Sequence, residues 1–422
     1  MSTPTTTSHR PGPPAPPARL LGPPRPADLA TAAARIAPYT VRTPLLPGPV
    51  TAACGPHLLL KAEHRQLGGS FKTRGAANAV LALGARHVVT GSSGNHGIAL
   101  ARLARTLGLR LTVVLAAGSA PAKAAAIQAL GAETVRVGGG VAEREERARA
   151  LADATGAALV PSSDHPLVVA GQGTVGLEVL ADAPHAETVY VPVGGGGLLA
   201  GVCLAAADHP VRVVGVEPAL TPRYARSLAA GHPVTLPPSA TVADGLRGQC
   251  PGHTTYPVIR DRVDDLVAVG EAEILAATTL LRRHGVDAEP SGAVALAGAL
   301  RAGRRGPAVA IVSGGNTAAR LLTPHHPPTH HRRGAHAMTE NTATAVSTLD
   351  LLVDVFRDVL DLADLTADTD FYEAGGDSLT AFQITGRLQE LLGADDIPVS
   401  LVFAYPTPRD LAEVVDADYG RA

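Results

Sequence analysis

Tryptophan is absent from this chain, and aromatic residues make up only 3% of it. The core must therefore be built from Ala, Val and Leu, which suits layers of helix on sheet. Cysteine is equally scarce. Cys54, Cys203 and Cys250 are scattered, odd in number and without metal-ligand spacing. That excludes a disulfide framework and fits a reducing compartment. Neither sign of charge dominates, with 36 Lys+Arg against 38 Asp+Glu and a net charge of −2. A bias toward nucleic acid or an anionic membrane is excluded. No apolar run reaches the length of a membrane span, and the Ser/Thr/Pro-rich N-terminus has no apolar signal core. The expected location is cytoplasmic. The last scarcity is lysine: only Lys61, Lys72 and Lys123 stand among the 36 basic residues.

The length of 422 residues predicts two or three domains. Residues 1–37 are Pro-rich and poor in apolar side chains, so disorder is expected there. Residues 38–322 alternate apolar runs with helical patterns. "HVVT", "LTVVLA", "TVYVPV", "VRVVGVEP" and "AVAIVSGGN" read as buried strands of a parallel sheet covered on both faces. Residues 323–347 break the pattern with Pro, His and Thr and read as a flexible linker. Its five histidines read as a solvated spacer rather than a metal site. A helical period returns over 348–418.

A lysine is either a solvated charge or, when partly buried, a usable free amine. Lys72 lies in "LGGSFKTRGAANAV", after Gly68, Gly69 and Ser70 and beside Phe71, a setting that points to the second reading. Lys61, on "HLLLKAEH", is expected to pair with Glu63, and Lys123 to be structural. "VGGGGLL", Val193 to Leu199, stands between a strand and a helix. Successive glycine N–H groups and a helix N-terminus there form an anion cradle. It lacks the Lys-Ser/Thr ending of a P-loop and dinucleotide spacing. "TGSSGNHG" places Ser92, Ser93, Asn95 and His96 at a second helix start, which suits a carboxylate.

Taken in order, "GSFKTRGAAN", "SSGNHG", "AGQGT", "VGGGGLLAG", "ADGLRG", "EPSGA" and "SGGN" resemble the serine/threonine dehydratases and serine racemases. These are pyridoxal-phosphate enzymes of the tryptophan synthase β fold type, and the likeness covers about 45–322. The resemblance implies a two-subdomain α/β fold of type II with parallel sheets, the smaller subdomain at about 86–165. It implies that Lys72 forms the Schiff base with pyridoxal 5'-phosphate and later moves the Cα proton. Phe71 and Gly245 would flank the ring, Asn95 would bind its 3-oxygen and Ser313 its nitrogen. Gly194, Gly195, Gly196, Gly197 and Leu198 would cradle the phosphate. Ser92, Ser93 and His96 would hold the substrate carboxylate. Ser93 matches the racemases, where it can reprotonate Cα. Racemase-like members bind a divalent cation after "EP". Here Glu217 is followed by Arg223 where a second carboxylate is expected, so no metal is expected.

"GGDSL" with the downstream "PT…LA" resembles the peptidyl carrier proteins of nonribosomal peptide synthetases. That implies a small four-helix carrier domain over 348–418 with 4'-phosphopantetheine on Ser378. The implied reaction is α,β-elimination of L-serine or L-threonine to a 2-oxo acid and ammonia, coupled to peptide assembly. The alternatives are a racemase supplying a D-residue and a carrier whose first domain only docks. Implied partners are a small amino acid, a phosphopantetheinyl transferase, an adenylation or condensation enzyme and a second copy in a homodimer. Nucleic acid and membranes are not among them.

Overall fold

The computed structural model describes residues 22–49, 57–303, 306–317, 320–321 and 347–360. In the C-terminal part it also describes 362, 364–371, 374, 378–392, 397, 401–402 and 405–419. The expected linker, apart from Ser347, and residues 1–21 lie outside the described residues. The chain divides into two compact units, Met1–Pro324 and His325–Ala422.

In the first unit the elements run α1 (Pro26–Ile36), β1 (Leu45–Pro47), β2 (Leu58–Lys61), α2 (Lys72–Leu83), β3 (His87–Gly91) and α3 (Asn95–Leu107). Next come β4 (Arg110–Leu115), α4 (Pro121–Ala129), β5 (Glu133–Arg136), α5 (Val141–Thr155), β6 (Ala158–Leu159) and α6 (Pro166–Asp182). Then follow β7 (Thr188–Pro192), α7 (Gly197–Ala205), β8 (Arg212–Pro218), α8 (Arg223–Ala230) and α9 (Thr255–Arg262). β9 (Asp265–Val269), α10 (Glu271–Arg283), α11 (Pro290–Ala302) and β10 (Ala308–Ile311) close the unit.

Two sheets result. The larger has the order β1-β2-β10-β7-β8-β9, parallel except for β1. The smaller, β5-β4-β3-β6, is wholly parallel. The apolar runs are continuous because both faces are covered. On β10, Ala308 and Ala310 pack with Ile274, Leu281 and Val294 of α10 and α11. Val309 and Ile311 point the other way, among Leu199 and Leu204 of α7. The smaller sheet repeats the device. Val88 and Val113 face α3 and α4, and Val89 and Val114 face Ala148 and Ala152 of α5. Each fully buried valine contributes about 1.5–3 kcal/mol. The helices meet closely as well. A Cβ on Gly173 would stand 2.8 Å from the carbonyl oxygen of Gly201, so the contact of α6 with α7 requires glycine.

Two expectations are corrected. Part of the stretch expected to be disordered, Pro26–Ile36, is helix α1. Its Leu29, Ala32 and Ile36 follow helical spacing and are buried, and Asp28 turns back to the backbone N–H of Arg25. Lys61 does not pair with Glu63. β2 ends at Lys61, and Glu63 falls in a 3-10 turn, so the two side chains no longer share a face. Lys61 binds Glu178 at 2.7 Å, while Glu63 receives Arg74 at 2.7 and 2.8 Å.

The second unit contains α12 (Thr348–Leu360), α13 (Ser378–Leu392) and α14 (Pro408–Tyr419). Leu352, Phe356, Ile384, Leu388, Leu411 and Val415 form its core. Phe356 and Phe371 meet edge to face, with centroids 6.2 Å apart. Among the described residues no helix is long and apolar enough to cross a membrane.

Candidate active site

Parallel strands of one sheet deliver their carboxyl ends to one edge, and ligands of such sheets bind beyond it. The segment before α2 is tied to the end of β10. Ser70 pairs with Gly314 in an isolated antiparallel bridge, and the N–H of Phe71 donates to Ser313 O at 3.1 Å. Lys72 is thereby fixed as the first residue of α2. Its Nζ donates to Ser162 O at 2.9 Å and lies 4.9 Å from the centroid of the Phe71 ring. Burial lowers its pKa to about 8. The positive end of α2 acts in the same direction.

The glycine loop joins β7 to α7. Gly196 has φ +87°, and a Cβ there would stand 2.0 Å from Tyr224 Oη. A Cβ on Gly195 would stand 2.1 Å from Ser163 Oγ. The carbonyls of the loop are engaged: Gly194 O accepts from Arg223, and Gly195 O accepts from Tyr224 and Thr255 at 3.0 Å each. The N–H groups at the start of α7 have no intrahelical partner. The loop therefore offers donors, which is what a phosphate takes.

Ser92, Ser93 and Gly94 lead from β3 into α3. Ser92 is buried and Ser93 half-buried. His96 departs from expectation. Its Nε2 contacts Val160 O at 3.1 Å, and its Nδ1 is buried without a partner. Burial, then the charge of Lys72, lowers its pKa to about 3. A neutral ring donating through Nε2 presents a lone pair at Nδ1. The His96 side chain therefore cannot donate to a carboxylate. The donors at this helix start are the serines and the N–H groups opening α3.

A polar network links the remaining candidates. Asn95 Nδ2 donates to Glu289 Oε1, and Asn95 Oδ1 accepts from Asn316 at 3.0 Å. Glu289 Oε2 receives Lys123 Nζ at 2.9 Å, and the same amine reaches Asp244 Oδ2 at 2.7 Å. Ser291 Oγ donates to Asp244 Oδ1 at 3.1 Å and accepts the N–H of Gly245 at 2.9 Å. Ser313 Oγ donates to Ser291 O at 3.3 Å. Lys123 belongs to α4, between β4 and β5 of the smaller sheet, whereas Glu289 caps α11 on the larger one. The ion pair thus spans the two layers. Burial disfavours the ammonium of Lys123, but Glu289 and then Asp244 outweigh it and raise its pKa.

The structure therefore brings Phe71, Lys72, Asn95, Gly245 and Ser313 into linked surroundings. It adds Lys123, Asp244, Glu289, Ser291 and Asn316, to which the sequence reading gave no role in the site. Asp244, Glu289, Ser291 and Asn316 lie inside the quoted motifs "ADGLRG", "EPSGA" and "SGGN". Lys123 carried the same signal of rarity as Lys72. Glu217, the glutamate of "EP" itself, accepts the N–H groups of Tyr224 and Ala225, both at 3.0 Å. The guanidinium of Arg223 takes the neighbouring oxygens, so these residues do not fit a divalent cation.

Residues 36–314 match the family model of the pyridoxal-phosphate dependent enzymes. The chain belongs to that family. Residues 350–415 match the phosphopantetheine attachment site. This pyridoxal-phosphate dependent enzyme is 40% identical over 277 residues to serine racemase of Oryza sativa subsp. indica, covering 64% of this chain and 81% of the relative. It is 42% identical over 271 residues to L-threonine ammonia-lyase of Geobacter sulfurreducens, covering 61% and 67%. The solved T.th. threonine deaminase superposes with a TM-score of 0.66 at 45% identity, covering 70% of this chain and 99% of that one. The enzyme domain binds pyridoxal phosphate, and the C-terminal domain carries 4'-phosphopantetheine. Ser378 opens α13, and Gly375–Asp377 lie outside the described residues.

Proposed function

We propose that the enzyme eliminates water from L-serine or L-threonine and releases a 2-oxo acid and ammonia. The observation that carries this reading is the enclosed amine of Lys72, with its pKa lowered to about 8, among donor-rich loops. Pyridoxal phosphate, when bound, supplies an electron sink that weakens bonds at the substrate Cα. Lys72 attaches the cofactor and then takes the Cα proton. Gly194, Gly195, Gly196, Gly197 and Leu198 hold the phosphate with backbone N–H groups. Asn95 donates to the ring 3-oxygen: its Nδ2 carries two hydrogens, and Glu289 uses one. Phe71 and Gly245 flank the ring. Ser92, Ser93 and the N–H groups opening α3 hold the substrate carboxylate. Ser313 would turn its one hydroxyl hydrogen from Ser291 O to the ring nitrogen; a hydroxyl there is a weak anchor for a proton, which favours loss of a β-leaving group over transamination. Net, the amino acid loses its Cα proton and β-hydroxyl as water, and a returning water releases ammonia.

Racemisation is the second reading, favoured by the half-buried hydroxyl of Ser93 in the loop ahead of α3. Incubation with L-serine and L-threonine, followed by 2-oxo-acid and chiral amino-acid analysis, separates the two. Elimination predicts 2-oxo acid from the native enzyme and from Ser93→Ala. D-amino acid as the main product would sink it. Ser378 would receive 4'-phosphopantetheine from a phosphopantetheinyl transferase, and that arm would couple the enzyme to a peptide assembly line. Turnover of free serine should survive Ser378→Ala, while mass gain by that transferase should vanish.

A further inference from the structure

Arg223 has no exposed surface. Its hydrogen-bonding partners are neutral oxygens: Val193 O at 3.3 Å, Gly194 O, Leu246 O and Thr221 Oγ1 at 3.1 Å. Its Nε is buried without a partner. Glu217 lies close enough to attract it but commits both carboxylate oxygens to N–H groups of α8. A buried cation without a bonded anion costs several kcal/mol, so the surrounding dipoles must be arranged to offset it.

The three carbonyl oxygens belong to two turns. Val193 and Gly194 open the glycine loop, and Leu246 follows Gly245. A trans peptide unit points its C=O and N–H in opposite directions. Drawing Val193 O and Gly194 O toward the guanidinium therefore aims the N–H groups of Gly194 and Gly195 away from it, outward from the loop. Tyr224 and Thr255 do the same through Gly195 O for the N–H of Gly196. The third anchored carbonyl sets the place of the turn beside Gly245. A ring of carbonyl and hydroxyl oxygens with a carboxylate nearby is also what a hard divalent ion gathers.

We propose that Arg223 is a fixed internal cation that positions the phosphate-binding loop and the Gly245 turn, making cofactor retention independent of divalent metal. Its planar fork spreads donors in fixed directions toward oxygens on separate segments, whereas a lysine carries its three donors on one rotatable nitrogen. The inference rests on cofactor binding by this domain and not on which substrate is turned over.

The test measures pyridoxal phosphate affinity and the thermal unfolding midpoint of the full chain. Both are read with EDTA, with Mg²⁺ and with Ca²⁺. The native enzyme should show the same values in all three. Arg223→Met should weaken cofactor binding by roughly 10- to 100-fold, the scale of lost hydrogen bonds to a charged group. Arg223→Lys should recover part of it. Arg223→Asp, placing a second carboxylate near Glu217, should bind cofactor weakly in EDTA and regain affinity with millimolar Ca²⁺. That last variant keeps the test decisive if Arg223→Met does not fold. A saturable gain in cofactor affinity of the native enzyme on adding a divalent cation would overturn the proposal. So would native-like affinity in Arg223→Met, or no response of Arg223→Asp to Ca²⁺. None of these readouts depends on turnover, so they leave the proposed reaction untouched.

Discussion

Lys72 and Lys123 are both withdrawn from water, yet their amines are driven opposite ways. Around Lys72 the oxygen within reach is a neutral carbonyl, and burial lowers its pKa to about 8. Around Lys123 two carboxylates outweigh the same desolvation and raise it. Burial alone does not decide what a lysine does; the charge of the groups it meets decides. One environment prepares a nucleophile and the other locks two layers of the fold together.

The largest effect should come from Lys72→Ala. In the proposed reaction the amine is both the cofactor linkage and the proton acceptor, so turnover should fall on the order of 10³-fold or more. The visible Schiff-base absorption should vanish with it. Retention of that absorption would place the linkage elsewhere. Lys123→Met should be second. It strands Glu289 and the partly exposed Asp244, and breaking a buried pair costs about 3 kcal/mol. Denaturant unfolding measures this, and Lys123→Arg should lose less. Equal stability of Lys123→Met and the native chain would dissolve the contrast.

A third effect concerns two buried histidines, His96 and His64. His96 and His64 stay neutral in the fold to about 3 and about 4, in both cases first because of burial. Unfolded histidine takes up a proton near 6.5. Below that pH the unfolded chain binds protons that the folded chain does not. Stability should therefore fall with pH by about 1.4 kcal/mol per unit for each ring, down to the folded values. His96→Asn should remove one share of that slope between pH 4 and 6. The smallest effect is kinetic. The rate at which cofactor-free protein captures pyridoxal phosphate should climb with pH and level off above about 8. A climb continuing toward the ordinary lysine range near 10.4 would contradict the lowered pKa.

The main strands were legible because an Ala/Val/Leu core with both faces covered leaves unbroken apolar runs. Lys72, the glycine loop and the two serines stood out in the sequence because each sits in a stretch whose chemistry is local. What escaped depends on contacts between distant segments. The partners of Lys123 are 121 and 166 residues away, and no spacing rule reaches that far. The tautomer of His96 is set by the carbonyl of Val160, 64 residues on. Helix α1 was hidden by its flanking prolines, although one of them opens the helix at its first position.

The ion pairs of Lys61 and Lys123 also bear on reagent selectivity. A cofactor aldehyde, or any 2-oxo acid, can condense with an accessible free amine. Here two of the three lysines are buried against carboxylates, and every other basic side chain apart from histidine is arginine. The folded chain thus presents a carbonyl reagent with one receptive side-chain amine. Amine-directed labelling of the cofactor-free protein near neutral pH should register as one lysine, Lys72, together with the N-terminus, and saturation with pyridoxal phosphate should protect that lysine.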